Sequence, residues 1–107
     1  MPDAFVSIAN TDELRPGECK VVAANGLPLA LYNIAGEFFV TNNECPHRRG
    51  PLGDGQLDGP IIICPWHGWA FDVTTGVSID TQTCVLKTFA VRVQDGKVQV
   101  KLERDAD

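Results

Sequence analysis

Apolar and polar residues alternate in two adjoining stretches near the C-terminus, Phe89 to Gln94 and Lys97 to Leu102. A period of two sends one set of side chains to a buried face and the other to water, which marks half-buried strands. Asp95-Gly96 joins them, a pair suited to the type I′ turn of a β-hairpin, where both central residues take positive φ. Glu18 to Ala24 and Pro28 to Ile34 flank Asn25-Gly26, a second hairpin signal. Ala35-Gly36 then turns the chain into Glu37 to Asn42, a third β-rich run holding Phe38, Phe39 and Val40. Arg15-Pro16-Gly17-Glu18 predicts a tight turn, with Pro and Gly at its two central positions. No window keeps the helical period long enough for a helix, so the pattern predicts an all-β, antiparallel fold.

The middle of the chain breaks this pattern. Asn43 to Pro60 is poor in apolar residues and rich in turn formers: Pro46, Gly50-Pro51, Gly53-Asp54-Gly55 and Gly59-Pro60. A structureless loop of that length inside a compact domain is uncommon unless it serves a function. Ile61-Ile62-Ile63 follows as a short buried strand, Cys64 to Gly68 as a second loop, and Trp69 to Asp72 as a return to β character before a turn at Thr74-Thr75-Gly76. The expected architecture is a sandwich or barrel base with a small loop-rich subdomain at one end.

Length and charge narrow the functional classes. With 107 residues the chain is one domain, 1–107, whose loop-rich part spans about 43–72. The longest apolar stretches, Ile61 to Cys64 among them, are four residues, far short of the roughly 20 that cross a membrane. Met1-Pro2-Asp3 opens without a basic and apolar leader pattern, so a cytoplasmic protein is expected. A net charge of −5 without a basic stripe argues against a nucleic-acid partner and suits docking on a basic patch of another protein.

The chemistry lies in the two loops, Cys45-Pro46-His47 and Cys64-Pro65-Trp66-His67, with sixteen residues between His47 and Cys64. The chain's only two histidines each follow a cysteine closely. Two thiolates and two imidazoles are the donors of a [2Fe–2S] centre in which histidine replaces cysteine on one iron. The rival is a structural zinc site, but zinc fingers usually pair like ligands within a loop, and here each loop is mixed. Proline after each cysteine fixes φ at a tight bend. Gly50 and Gly68 would let backbone pass close to a cluster. Leu52, Trp66 and Trp69 would give it apolar cover. Cys19 and Cys84, in or beside predicted strands, are expected to act as small buried hydrophobes. Arg48 and Arg49, next to His47, are candidates for docking an acidic partner surface.

The segments Cys45-Pro46-His47-Arg48-Arg49-Gly50-Pro51-Leu52 and Cys64-Pro65-Trp66-His67-Gly68-Trp69-Ala70-Phe71-Asp72 resemble the Rieske-type iron–sulfur proteins, and the likeness extends over essentially the whole chain. The resemblance implies an antiparallel β-sandwich or barrel base with a cluster-binding subdomain. It also implies one [2Fe–2S] cluster on Cys45, His47, Cys64 and His67, with the histidine rings near the surface as the electron exit. Respiratory members of the family carry an extra disulfide between the loops, and Gly50 and Trp66 stand where its cysteines would be. Trp69 and Phe71 stand where those proteins have serine and tyrosine hydroxyls near the cluster. Fewer hydrogen bonds to the sulfurs leave the reduced state less stabilised, so a potential near the lower end of the family's range, about −150 mV, is expected. Relatives often have a proline in the segment covering the cluster, whereas Asp80-Thr81-Gln82-Thr83-Cys84 has none.

With both histidines committed to the cluster, no second iron site of two histidines and a carboxylate can be built. A glycine-rich dinucleotide fingerprint is also missing from the sequence. The expectation is therefore a soluble ferredoxin, not itself an enzyme, that passes single electrons from a flavin-dependent reductase to a terminal oxygenase of the ring-hydroxylating dioxygenase type. The alternatives are a Rieske small subunit of an assimilatory nitrite reductase and, from another class, a zinc-stabilised interaction module.

Overall fold

A computed structural model describes residues 5–44, 51–65, 69–79 and 85–102. Nine strands follow in order: β1 (Phe5–Asn10), β2 (Cys19–Ala24), β3 (Leu27–Ile34), β4 (Glu37–Asn42), β5 (Gln56–Asp58), β6 (Ile61–Ile63), β7 (Ala70–Asp72), β8 (Thr88–Gln94) and β9 (Lys97–Lys101). Two short 3-10 turns, Thr11–Glu13 and Leu52–Asp54, are the only helical elements among the described residues. No helix there is long and apolar enough to cross a membrane.

The expected all-β fold is therefore observed. Its turns have the predicted geometry: Asn25, Ala35 and Asp95 have φ of 52°, 54° and 55°, each followed by a glycine with positive φ. Gly17 has φ 91°, and the Glu18 amide donates to the Arg15 carbonyl at 3.0 Å, as a type II turn requires.

Six strands form one sheet in the order β1-β9-β8-β4-β3-β2, with β1 and β2 approaching each other so that it nearly closes into a barrel. β5, β6 and β7 form a separate three-stranded sheet. Strand β3 explains how the two fit together. It is buried from Leu29 to Asn33 without a break, because both of its faces are covered. Leu29 and Leu31 look into the base, with Val22, Ala24, Val40, Val98 and Val100. Ala30 and Tyr32 look the other way, onto Leu52, Ile62, Cys64 and Phe71 of the small subdomain. The Tyr32 hydroxyl is 2.9 Å from Thr41 Oγ1, which donates in turn to the Asn42 carbonyl at 2.9 Å.

Two expectations need correction. The stretch from Asn43 to Pro60 is not one continuous loop: it contains the Leu52–Asp54 turn and β5, the latter paired with β6. With a single apolar residue, Leu57, β5 has no periodicity to announce it. Strand β1 was not foreseen either, because its register on β9 shifts between Ser7 and Ala9. That bulge sends Val6, Ile8 and Ala9 all towards the base core and erases the alternation.

Candidate metal centre

Of the four expected ligands, Cys64 lies among the described residues, while Cys45, His47 and His67 lie outside them. So do Arg48, Arg49, Gly50, Trp66, Gly68 and the Asp80–Cys84 segment. The described residues do fix how each ligand-bearing segment begins and ends.

The first segment leaves β4 at Asn42 and is closed at its base by an antiparallel bridge between Glu44 and Pro51. One residue beyond β4, the Asn43 carbonyl accepts the Leu52 amide at 2.8 Å and its side-chain Oδ1 accepts the Gly53 amide at 2.8 Å. Asn42 adds further ties. Its Nδ2 donates to the Glu44 carbonyl at 3.1 Å, and its Oδ1 accepts the Lys87 amide at 2.9 Å. Cys45 and His47 therefore sit in a segment whose two ends are fastened together.

The second segment is closed in the same way. Cys64 follows β6 directly, and its amide donates to the Trp69 carbonyl at 2.7 Å, just before β7 begins. The pairing of Gln56 with Ile63 brings the exit of the first segment against the entry of the second. Leu52 and Cys64 are 0% and 1% exposed and belong to one apolar cluster, against which Trp69 packs. The Trp69 and Phe71 rings lie 6.5 Å apart with a 37° tilt, and Phe71 is fully buried.

This arrangement fits an iron–sulfur centre. Cys64, a soft thiol donor, is buried in an apolar cluster at the start of the second segment, and an apolar shell of this kind controls solvent access to a metal. Cys19, expected as a small buried hydrophobe, is half-buried instead, and its thiol donates to the Gly55 carbonyl at 3.5 Å. Burial pushes the Cys19 thiol up, with Asp54 and Glu18 adding to the shift. The thiol is therefore a neutral prop between β2 and the stretch linking the two segments. Cys84 lies outside the described residues. The part of the site that the sequence reading missed is Asn42-Asn43. An Asx residue at the exit of a strand and just before a proposed ligand is the signal that could have found it, since such side chains habitually cap nearby amides.

Fold and site define a class: the chain belongs to the Rieske [2Fe-2S] domain family, which it matches over residues 4–100. Across 96% of its length it is 36% identical to the ferredoxin component of naphthalene 1,2-dioxygenase/salicylate 5-hydroxylase systems from a Ralstonia species, all of which it covers. It superposes with a TM-score of 0.86 on a chain from the complex of reduced oxygenase and oxidized ferredoxin in carbazole 1,9a-dioxygenase, at 34% identity over 96% of this chain and 97% of that one. A chain assigned as an NADH-dependent nitrite reductase small subunit from Mycobacterium tuberculosis superposes equally well, with a TM-score of 0.86 over 95% of this chain and 97% of that one, at 21% identity. That last likeness is one of fold.

Proposed function

We propose that this chain is a single-domain Rieske ferredoxin, 1–107. In this reading Cys45, His47, Cys64 and His67 hold one [2Fe–2S] cluster, the subdomain of about 43–72 houses it, and electrons pass from a flavin-dependent reductase to a terminal oxygenase of the ring-hydroxylating type. The observation that carries the reading is the pair of fastened segments meeting at Leu52 and Cys64, one for each cysteine–histidine pair of the motif. Family membership supports iron and sulfide over zinc in that place. The full-length relatives named as ferredoxin components of dioxygenase systems support the role of carrier, with chemistry on the organic substrate left to a partner. They also favour a dioxygenase system over a nitrite reductase, whose small subunit resembles this chain at the level of fold.

When bound, the cluster supplies a reversible one-electron couple; the chain's own residues set its surroundings. Phe71 carries no hydroxyl and is buried in the core, and Trp69 offers only an indole N–H, so neither reproduces a hydroxyl hydrogen bond to a cluster sulfur. A potential of about −150 mV, the lower end of the family's range, follows from that. The test is electron paramagnetic resonance of the purified protein after dithionite reduction, with iron, sulfide and zinc assayed on the same sample. A rhombic signal and about two irons per chain are expected. A colourless protein with stoichiometric zinc and no signal would overturn the reading in favour of an interaction module.

A further inference from the structure

The Leu52–Asp54 turn begins at Pro51, which offers no side-chain cap, and so the first amides of the turn have no local acceptor. Leu52 and Gly53 are both buried, so water cannot serve in its place. Both acceptors come instead from a residue on the far side of the first ligand segment. The Asn43 carbonyl takes the Leu52 amide and Asn43 Oδ1 takes the Gly53 amide, each at 2.8 Å. Asn43 therefore does from ten positions away what an N-cap normally does from within the turn. Its backbone bond and its side-chain bond together set the span across which Cys45 and His47 are strung.

We propose that Asn43 is a positioning residue for the metal centre, whose side-chain cap on Gly53 fixes the closure of the segment bearing Cys45 and His47 and thereby tunes the reduction potential. The proposal rests on the iron–sulfur reading above. Two ferric ions, two sulfides and two thiolates sum to zero charge, and one electron makes the centre negative. Water admitted by a loosened segment stabilises that charged, reduced state and moves the potential upward. Truncating Asn43 leaves the Gly53 amide buried without its acceptor, and relief comes from opening the segment towards solvent.

Asn33 provides a matched control. It is buried and also caps through its side chain, accepting the Gly36 amide at 2.9 Å and donating to the Leu14 carbonyl at 2.8 Å. On the β3–β4 ladder it pairs with Phe38, at the opposite end from Asn42. An Asn33→Ala variant weakens the base without touching the ligand segments.

The experiment compares wild type, Asn43→Ala, Asn43→Asp and Asn33→Ala as holoproteins by redox titration, paramagnetic resonance and thermal melting. Asn43→Ala should show a more positive midpoint and a broadened or shifted resonance. Asn33→Ala should melt earlier with wild-type potential and line shape. An Asn43→Ala protein that melts early yet keeps wild-type potential and line shape shows a structural role only and overturns the proposal. If Asn43→Ala fails to retain iron, Asn43→Asp decides, because aspartate keeps the acceptor. Wild-type line shape in Asn43→Asp supports the cap, and loss of iron there as well refutes it. Wild-type protein without an iron–sulfur signal would instead remove the functional reading on which the proposal stands.

Discussion

Gly53 is where the small subdomain meets an edge strand of the base, and replacing it with alanine is the sharpest test of that contact. A Cβ at Gly53 would lie 2.7 Å from Val21 Cγ2, 2.7 Å from the Val21 amide nitrogen and 2.8 Å from the Lys20 carbonyl carbon. Non-bonded carbons rest about 3.5–4.0 Å apart, so roughly 1 Å of relief is required. The valine methyl can yield. The two backbone atoms cannot, because Lys20 and Val21 are paired with Leu31 and Ala30 of β3. The Leu52–Asp54 turn must retreat, and the same movement stretches the 2.8 Å bond from the Gly53 amide to Asn43. Overpacking of this kind costs about 1–3 kcal/mol, and a weakened buried hydrogen bond adds about 0.5–1.5 kcal/mol. For a domain of this size each kcal/mol lowers the melting temperature by about 4–8 °C, so Gly53→Ala should melt at least about 6 °C below wild type. Adding Val21→Ala removes one of the three contacts and should restore only part of the loss. A Gly53→Ala protein melting within about 3 °C of wild type, or full rescue by Val21→Ala, would refute the backbone clash.

Other consequences follow from particular bonds. Thr41→Val leaves the buried Tyr32 hydroxyl without its acceptor and should cost about 1–3 kcal/mol, whereas Tyr32→Phe leaves Thr41 bonded to Asn42 and should cost about 0.5–1.5 kcal/mol; denaturant unfolding of both variants checks the order. Burial raises the Tyr32 phenol above its ordinary value, so its contribution is intact below about pH 10 and declines above it, where the unfolded chain ionises first. The alkaline fall in stability of wild type should therefore be shallower in Tyr32→Phe, read from unfolding midpoints at a series of pH values. Ala35 holds φ 54°, a strained conformation for a residue with a Cβ, and Ala35→Asn should stabilise the protein by about 1 kcal/mol in the same assay. Cys64→Ser should abolish the visible chromophore and lower the melting temperature, since metal binding and folding are coupled; a variant melting with wild type would contradict that coupling.

The hairpins were legible because their signals are local. Each of Asn25-Gly26, Ala35-Gly36 and Asp95-Gly96 occupies the positive-φ turn that its sequence demands. Strands flanking them were found within a residue or so, as with Glu37–Asn42, whose bounds match the reading. Cys64, the one expected ligand among the described residues, is buried in the cluster that holds Leu52. What escaped the sequence has one cause in each case. The β1 bulge destroys a period that any pattern search needs, and β5 is too short to have one. The reach of Asn43 to Gly53 crosses ten positions, and no local rule connects such distant partners. Cys19 looked like an interior residue because a free cysteine in a strand usually acts as a small buried hydrophobe. It lies on the face turned to the small subdomain, where the Gly55 carbonyl waits and burial is only partial.

That division of faces gives the architecture its logic as a carrier. Strands of three residues, such as β5, β6 and β7, do not make a sheet that stands alone in water. They are held by Ala30 and Tyr32 from the base and by Leu52, Ile62 and Phe71 from their own side, all within one apolar cluster that also contains Cys64. Each ligand-bearing segment is then tied at its feet by backbone bonds, Leu52 to Asn43 in one and Cys64 to Trp69 in the other. The ordering entropy at those feet is met by the fold, and a site held by supporting hydrogen bonds keeps its ligand geometry within narrow limits. A one-electron carrier benefits from that constraint, since its oxidised and reduced forms then share one set of ligand positions. The base supplies rigidity through its sheet, and the contacts at Gly53 and Asn43 are points where that rigidity passes to the site.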